Sequence, residues 1–284
     1  MRLIDGKKIA EKVKDEIVGE ILEKNGQDVS NVQDRPNLAI IMAGSREDSN
    51  IYVKIKREEA KKVGVDTHFY QLNSEDGQKE LLQIINHLNQ DEEIDAILIQ
   101  MPLPERFDAD EAVYSIDPNK DADCFHPKNM RKINDFESEF LPPVFGAIRE
   151  ILKDINFDFK NKKACIIGNS EIFGKNLGKF LALKGVESDF VKSSTSNLAE
   201  KTNKADLLIS VVGKPGFITK DFVKEDAVVI DVGIVNKNGK VLGDVNLESV
   251  KNKASHITPV PGGVGPLTVA MLLKNTLTLS KLNK

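Results

Sequence analysis

Residues 164–175 read Ala164-Cys165-Ile166-Ile167-Gly168-Asn169-Ser170-Glu171-Ile172-Phe173-Gly174-Lys175. A short apolar run that ends in glycine reads as a buried strand, and residues 173–184 after it read as a helix. Glycine at such a turn lets the backbone approach a phosphate, while the following helix offers free N–H groups and the positive end of its dipole. The spacing is not G-x-G-x-x-G, so the stretch is a phosphate-loop candidate by context rather than by motif. Downstream, Ser188–Val191, Leu207–Val212, Val228–Val232 and Ser255–Thr258 read as further short strands. Their compact alternation with helices predicts a Rossmann-like parallel sheet.

Upstream the same alternation occurs without a detectable repeat. Leu38–Met42, His68–Leu72 and Ile94–Met101 read as strands, with helices at 47–63 and 77–89 between them. This β-α-β-α-β order predicts a second parallel sheet. A helix at 5–24 precedes it, and residues 25–36 are polar and turn-rich. Prolines 102, 104, 118, 127, 142 and 143 punctuate a crossing, followed by a linker helix at 146–153. A final helix, Leu267–Leu279, is expected to return to the first domain. The expected architecture is therefore two α/β domains flanking a cleft: an N-terminal parallel-sheet domain, 1–145 joined by 266–284, and a C-terminal Rossmann-like NAD(P)-binding domain, 146–265.

Composition narrows the function classes. The 284 residues carry 40 Lys+Arg against 44 Asp+Glu, a net charge of −4 with signs interspersed, so neither a nucleic-acid surface nor a polybasic arm is expected. Two cysteines, Cys124 and Cys165, are too few for a disulfide framework and fit a reduced, cytoplasmic setting. No apolar signal core opens the chain and no run of about 18 apolar residues occurs, so no membrane association is expected.

Four further segments could carry chemistry. Ser49, Tyr52 and Lys56 share one helix face at i, i+3 and i+7. Spacing alone reads first as a basic solvated face, because Lys54, Arg57, Lys61 and Lys62 crowd the same helix. A desolvated lysine there would serve proton transfer near neutral pH. Gln100 ends an apolar strand at its carboxyl end, either as a strand terminator or as a ligand group. Asp121, Asp123 and His126 match no common metal spacing, so no metal is expected, and His126 before Pro127 reads as structural. Finally, Pro259-Val260-Pro261-Gly262-Gly263-Val264-Gly265-Pro266 holds three prolines and three glycines, more than a simple turn needs, and suggests backbone lining a ligand.

Taken in order, these segments resemble the methylenetetrahydrofolate dehydrogenase/cyclohydrolase family over nearly the whole chain. The resemblance rests on Ser49-x-x-Tyr52-Val53-x-x-Lys56, Gln100-x-Pro102-Leu103-Pro104, Lys120-Asp121-x-Asp123, Gly168-x-Ser170-x-x-x-Gly174-Lys175, Val212-Gly213-Lys214-Pro215-Gly216, Ile230-Asp231-Val232-Gly233 and the 259–266 segment. It implies NADP-linked oxidation of methylenetetrahydrofolate, then hydrolysis of the methenyl cation to the formyl product, with no metal. Lys56 would be the acid/base and Gln100 its holder. Tyr52 would stack on the substrate, Asp123 would bind the pterin, and Ser49 would support this face. Pro261, Gly262 and Gly263 would line the substrate. Gly168, Asn169, Ser170, Lys192, Ser193, Gly213 and Ile234 would meet the cofactor. The family also implies a homodimer.

The resemblance breaks at several points. Asn169 stands where the family has an Arg to clamp the NADP 2′-phosphate, Glu171 where it has Asn, and Asn176 where it has Pro. Cys124 replaces a Gly, and Pro143 replaces a Thr. Lys192 and Ser193 are the expected substitutes at the phosphate. The cofactor is thus expected to be NADP, with NAD possible. The alternative is mainly a cyclohydrolase with weak or NAD-linked dehydrogenase activity.

Overall fold

A computed structural model of the chain describes residues 1–24, 35–73, 75–237 and 239–282; the turn-rich reading of 25–36 lies mostly outside them. The strands are β1 (Arg2–Leu3), β2 (Asn37–Ala43), β3 (Asp66–Leu72), β4 (Ala96–Ile99), β5 (Lys163–Gly168), β6 (Glu187–Lys192), β7 (Leu207–Val211), β8 (Val228–Asp231), β9 (Val235–Lys237), β10 (Lys240–Leu242) and β11 (His256–Ile257). The helices are α1 (Gly6–Lys24), α2 (Glu47–Val63), α3 (Gln78–Gln90), α4 (Ala109–Ser115), α5 (Pro127–Lys132), α6 (Pro143–Asp154), α7 (Glu171–Ala182), α8 (Leu198–Thr202), α9 (Leu247–Val250) and α10 (Val264–Leu282).

The chain divides into two units. One holds Glu11–Lys132, Glu139–Pro143 and Val269–Lys284; the other holds Met1–Ala10, Ile133–Ser138 and Val144–Thr268. Residues 1–10 thus group apart from the 1–145 segment in which the sequence reading placed them. The physical reason is strand pairing: Arg2 and Leu3 lie parallel to His256 and Ile257. The two-domain α/β class with parallel sheets holds for the chain as described.

In the first unit a three-stranded parallel sheet runs β3-β2-β4. Its central strand β2 is buried on both faces, which is why it reads as an uninterrupted apolar run rather than an alternation. One face packs Ala39 and Ile41 with Ile97 and Ile99 against Leu81, Ile85 and Leu88 of α3. Beyond β4 the chain returns beside it, where the Ile97 N–H donates to the Lys120 carbonyl at 2.6 Å and the Ala122 N–H to the Ile97 carbonyl at 3.1 Å. Ion pairs Lys274–Glu16 (2.7 Å) and Lys281–Glu20 (2.5 Å) join α10 to α1 within this unit.

The second unit is a six-stranded parallel sheet in the order β1-β11-β8-β7-β5-β6, with the β9–β10 hairpin beside it. Helix α7 starts two residues before the sequence reading placed it, because the Ser170 Oγ accepts from the Phe173 N–H at 3.3 Å and caps it. Helix α6 likewise begins at Pro143, where proline's missing N–H costs nothing in a first turn. Among the described residues no helix is long and apolar enough to cross a membrane.

Helix α1 begins hard against the Pro/Gly segment. A Cβ on Gly6 would fall 1.8 Å from the Gly263 carbonyl oxygen, a backbone atom that no rotamer change can move. Gly6→Ala should therefore cost about 2–3 kcal/mol, at the upper end of ordinary overpacking. A shift of the urea unfolding midpoint checks this; an unchanged midpoint would contradict the packing.

Candidate active site

Helix α2 sets Ser49, Tyr52 and Lys56 along one face. Ser49 is buried, and Tyr52 and Lys56 are half-buried, so the face is not the solvated one that spacing alone suggests. The Lys56 Nζ donates to the Gln100 Oε1 at 2.9 Å. Gln100 itself is fixed from two sides: its backbone N–H donates to the Ile41 carbonyl at 2.8 Å and its Nε2 to the Met101 carbonyl at 2.7 Å. With the NH2 group committed to a carbonyl, the amide oxygen is the end that faces the lysine. Gln100 is only 7% exposed.

Asp123 follows the segment that runs beside β4. Burial pushes its carboxyl up to about 6; Lys56 opposes that rise and Asp121 adds to it. Burial also pushes the Lys56 amine down, against the pull of Asp123. The two side chains thus share a desolvated site whose proton affinities lie closer together than in water. Burial likewise raises the Tyr52 phenol, with Asp48 adding to the rise, which keeps its O–H protonated.

The neighbouring polar groups are scaffold. The Asp121 Oδ2 accepts from the His126 N–H at 2.8 Å and the Asn129 Nδ2 at 3.1 Å. The His126 Nδ1 accepts from the Lys128 N–H at 3.1 Å, so this histidine closes a turn. Lys120 caps the end of α3 by donating to the Leu88 and Asp91 carbonyls at 2.9 and 2.6 Å. Cys124 takes φ of 56°, in the left-handed region that a glycine occupies without strain. Sequence reasoning missed Asn275. Buried at 0% exposure on α10, its Nδ2 donates to the Ala122 and Leu141 carbonyls at 2.8 Å each and steadies the segment that carries Asp123. The available signal was an amide on the buried face of an apolar helix.

The second unit gathers the expected cofactor residues at the carboxyl ends of its strands. Gly168 ends β5 and Ser170 caps α7. Gly174 lets α7 lie on β6, since a Cβ there would meet the Phe190 ring at 2.0 Å. The Asn169 Oδ1 accepts from the Ser193 Oγ at 2.9 Å, and its Nδ2 donates to the Val212 carbonyl at 3.3 Å. Lys192 lies 3.8 Å from Glu171, which also pairs with Lys175 at 2.5 Å. Gly213 takes φ of +72° with open space where a Cβ would point, and Ile234 is exposed. A strand-glycine-helix turn, an open glycine and an exposed apolar side chain fit a dinucleotide. Pro261, Gly262 and Gly263 belong to this unit, apart from Lys56, Gln100 and Asp123.

The coupling between Lys56 and Asp123 has a definite sign. The ammonium favours the carboxylate, so Lys56→Met should move the Asp123 titration midpoint above its value of about 6. Infrared titration of the carboxyl bands in aspartate-labelled protein reads this directly, and a downward move would refute the coupling.

Comparison with known proteins agrees with this arrangement. A family model described as the tetrahydrofolate dehydrogenase/cyclohydrolase catalytic domain matches residues 4–123, and one described as its NAD(P)-binding domain matches 142–284. The bifunctional protein FolD of Nitratiruptor sp. is 41% identical over 285 residues, covering 100% of this chain and 99% of its own. The solved bifunctional FolD of Campylobacter jejuni superposes with a TM-score of 0.91 at 38% identity over 100% of both chains. The Trypanosoma brucei enzyme, solved with NADP and an inhibitor, gives 0.91 at 33% identity, covering 99% of this chain and 97% of that one. The chain therefore belongs to the tetrahydrofolate dehydrogenase/cyclohydrolase family.

Proposed function

We propose that the chain oxidises 5,10-methylenetetrahydrofolate to the 5,10-methenyl form with NAD(P) and then hydrolyses that product to 10-formyltetrahydrofolate. The observation that carries the reading is the Lys56–Gln100 hydrogen bond beside the desolvated Asp123. A nicotinamide dinucleotide would be held by Gly168, Ser170, Ser193, Gly213 and Ile234, and would supply the hydride acceptor. The remaining chemistry is proton transfer by the protein's own groups.

The methenyl carbon is already cationic and needs no Lewis acid. Addition of water to it releases one proton; collapse of the resulting carbinolamine places one proton on the departing nitrogen and gives up the hydroxyl proton to solvent, so one proton is released overall. Lys56, with its amine shifted down by burial, takes the first and returns the second, so the cycle closes without net change at the lysine. Gln100 holds the amine through a neutral acceptor, which positions it without the full countercharge that would keep it protonated. Asp123 binds the donor edge of the pterin, Tyr52 stacks on the substrate's aromatic portion, and buried Ser49 backs this face. Pro261, Gly262 and Gly263 line the substrate through backbone. The reading includes a homodimer, which the family resemblance implies, and a cytoplasmic setting, which two buried free thiols fit.

Cofactor choice follows from local charge. Lys175 and Lys192 against Glu171 leave one net positive charge beside Asn169 and Ser193, which favours NADP over NAD by a modest margin. Lys192→Ala should lower kcat/KM for NADP about tenfold, the worth of one charged contact, and leave NAD within about twofold. Parallel steady-state assays with both cofactors decide it, and an equal fall for both would remove Lys192 from the selectivity. For the second step, Lys56→Met should reduce methenyl hydrolysis by about 10²-fold or more while folate binding persists. Undiminished hydrolysis would overturn the role given to Lys56.

A further inference from the structure

Two aspartates without a place in this mechanism stand behind the expected cofactor loops. Asp231 ends β8 and Asp244 follows the β9–β10 hairpin; they are 3% and 0% exposed. The Asp244 Oδ2 accepts from the Ser210 Oγ at 2.8 Å and the Val212 N–H at 2.7 Å, and its Oδ1 from the Lys214 N–H at 2.8 Å. This one carboxylate therefore grips the backbone on both sides of Gly213. Asp231 holds Asp244 in turn. Its Oδ1 accepts from the Gly233 N–H at 2.9 Å and the Asp244 N–H at 3.1 Å, and its Oδ2 from the Val245 N–H at 2.9 Å.

Each of these partners is a neutral N–H or O–H. Burying a carboxylate with no cation among its bonded partners is costly, and a turn needs no such device to form. What the carboxylate adds is rigidity: charge-assisted bonds are short and directional, and two of them bracket a glycine that otherwise populates several backbone states. The block is also closed to substitution. A Cβ on Gly243 would lie 2.2 Å from the Asp231 Oδ2 and 2.7 Å from a Val260 methyl, the residue before Pro261.

We propose that Asp244 is a positioning residue for the nicotinamide dinucleotide: by binding the N–H groups of Val212 and Lys214 it fixes the turn that presents Gly213 to the cofactor, and Asp231 fixes Asp244. The inference rests on reading this loop as part of the NAD(P) site. Asp244→Asn keeps the shape but turns one acceptor into an NH2 group that opposes a donor. Ser210→Ala is the milder variant and removes one of the three bonds.

The test is calorimetric titration of each full-length protein with NADP and separately with NAD, normalised to methenyl hydrolysis without nucleotide, which counts folded enzyme. Asp244→Asn should raise the Kd for both dinucleotides at least tenfold, and Ser210→Ala two- to fivefold. Losses of binding and hydrolysis in equal proportion would mark a merely structural role and overturn the proposal. So would unchanged Kd values in either folded variant. If Asp244→Asn does not fold, Ser210→Ala alone decides by the same criterion. A parent protein that binds neither dinucleotide would instead overturn the reading of the loop, a result distinct from failure of the positioning role.

Discussion

In a parallel sheet every strand ends at the same edge, and each crossover must leave from there. That constraint places the chemistry in both units. Gln100 follows the end of β4, Gly168 ends β5, Lys192 ends β6, Gly213 follows β7 and Asp231 ends β8. None of these residues is near another in sequence. They become neighbours within their sheets because parallel pairing aligns Ile167 with Ser210 and Ser210 with Asp231. The apolar strand interiors are what hold that edge still, so the polar groups on it inherit their precision from a core to which they add little.

Lys56 and Asp244 share a second property: each is hydrogen-bonded to neutral partners. Lys56 meets an amide oxygen, and Asp244 meets backbone N–H groups and a hydroxyl. A salt bridge at Lys56 would pin its proton. The neutral acceptor fixes the amine's position while burial lowers its proton affinity. Burial also lifts the Asp231 carboxyl to about 6, against the backbone N–H bonds that lower it. At Lys56, position and protonation are thus set by different interactions, a hydrogen bond and burial.

How much of this is legible in the sequence depends on what each group bonds to. Strands buried on both faces announce themselves as apolar runs, so Leu38–Met42 and Leu207–Val212 were readable. Gln100 was conspicuous because a polar residue closed such a run. Lys56 was readable only by spacing, and spacing alone favoured a solvated face; resemblance to a family turned the reading. Asp244 left no usable pattern and Asn275 only an amide within an apolar helix, since their partners are mostly backbone groups whose identity no residue code records. The pairing of Arg2 and Leu3 with His256 and Ile257 was invisible for a related reason. A two-residue strand has no periodicity, and its partner lies at the other end of the chain.

Asn169 shows how a departure from a family pattern can be absorbed. The exposed asparagine bonds locally, accepting from the Ser193 hydroxyl and donating to the Val212 carbonyl. Val212 is also held through its N–H by Asp244. One peptide neighbourhood is therefore gripped from both faces, by the loop after β5 and by the carboxylate behind β7. Asn169 is thus a tether to the same peptide neighbourhood whose N–H Asp244 binds. On the function proposed above, the phosphate contact then passes to Lys192, which lies 3.8 Å from Glu171.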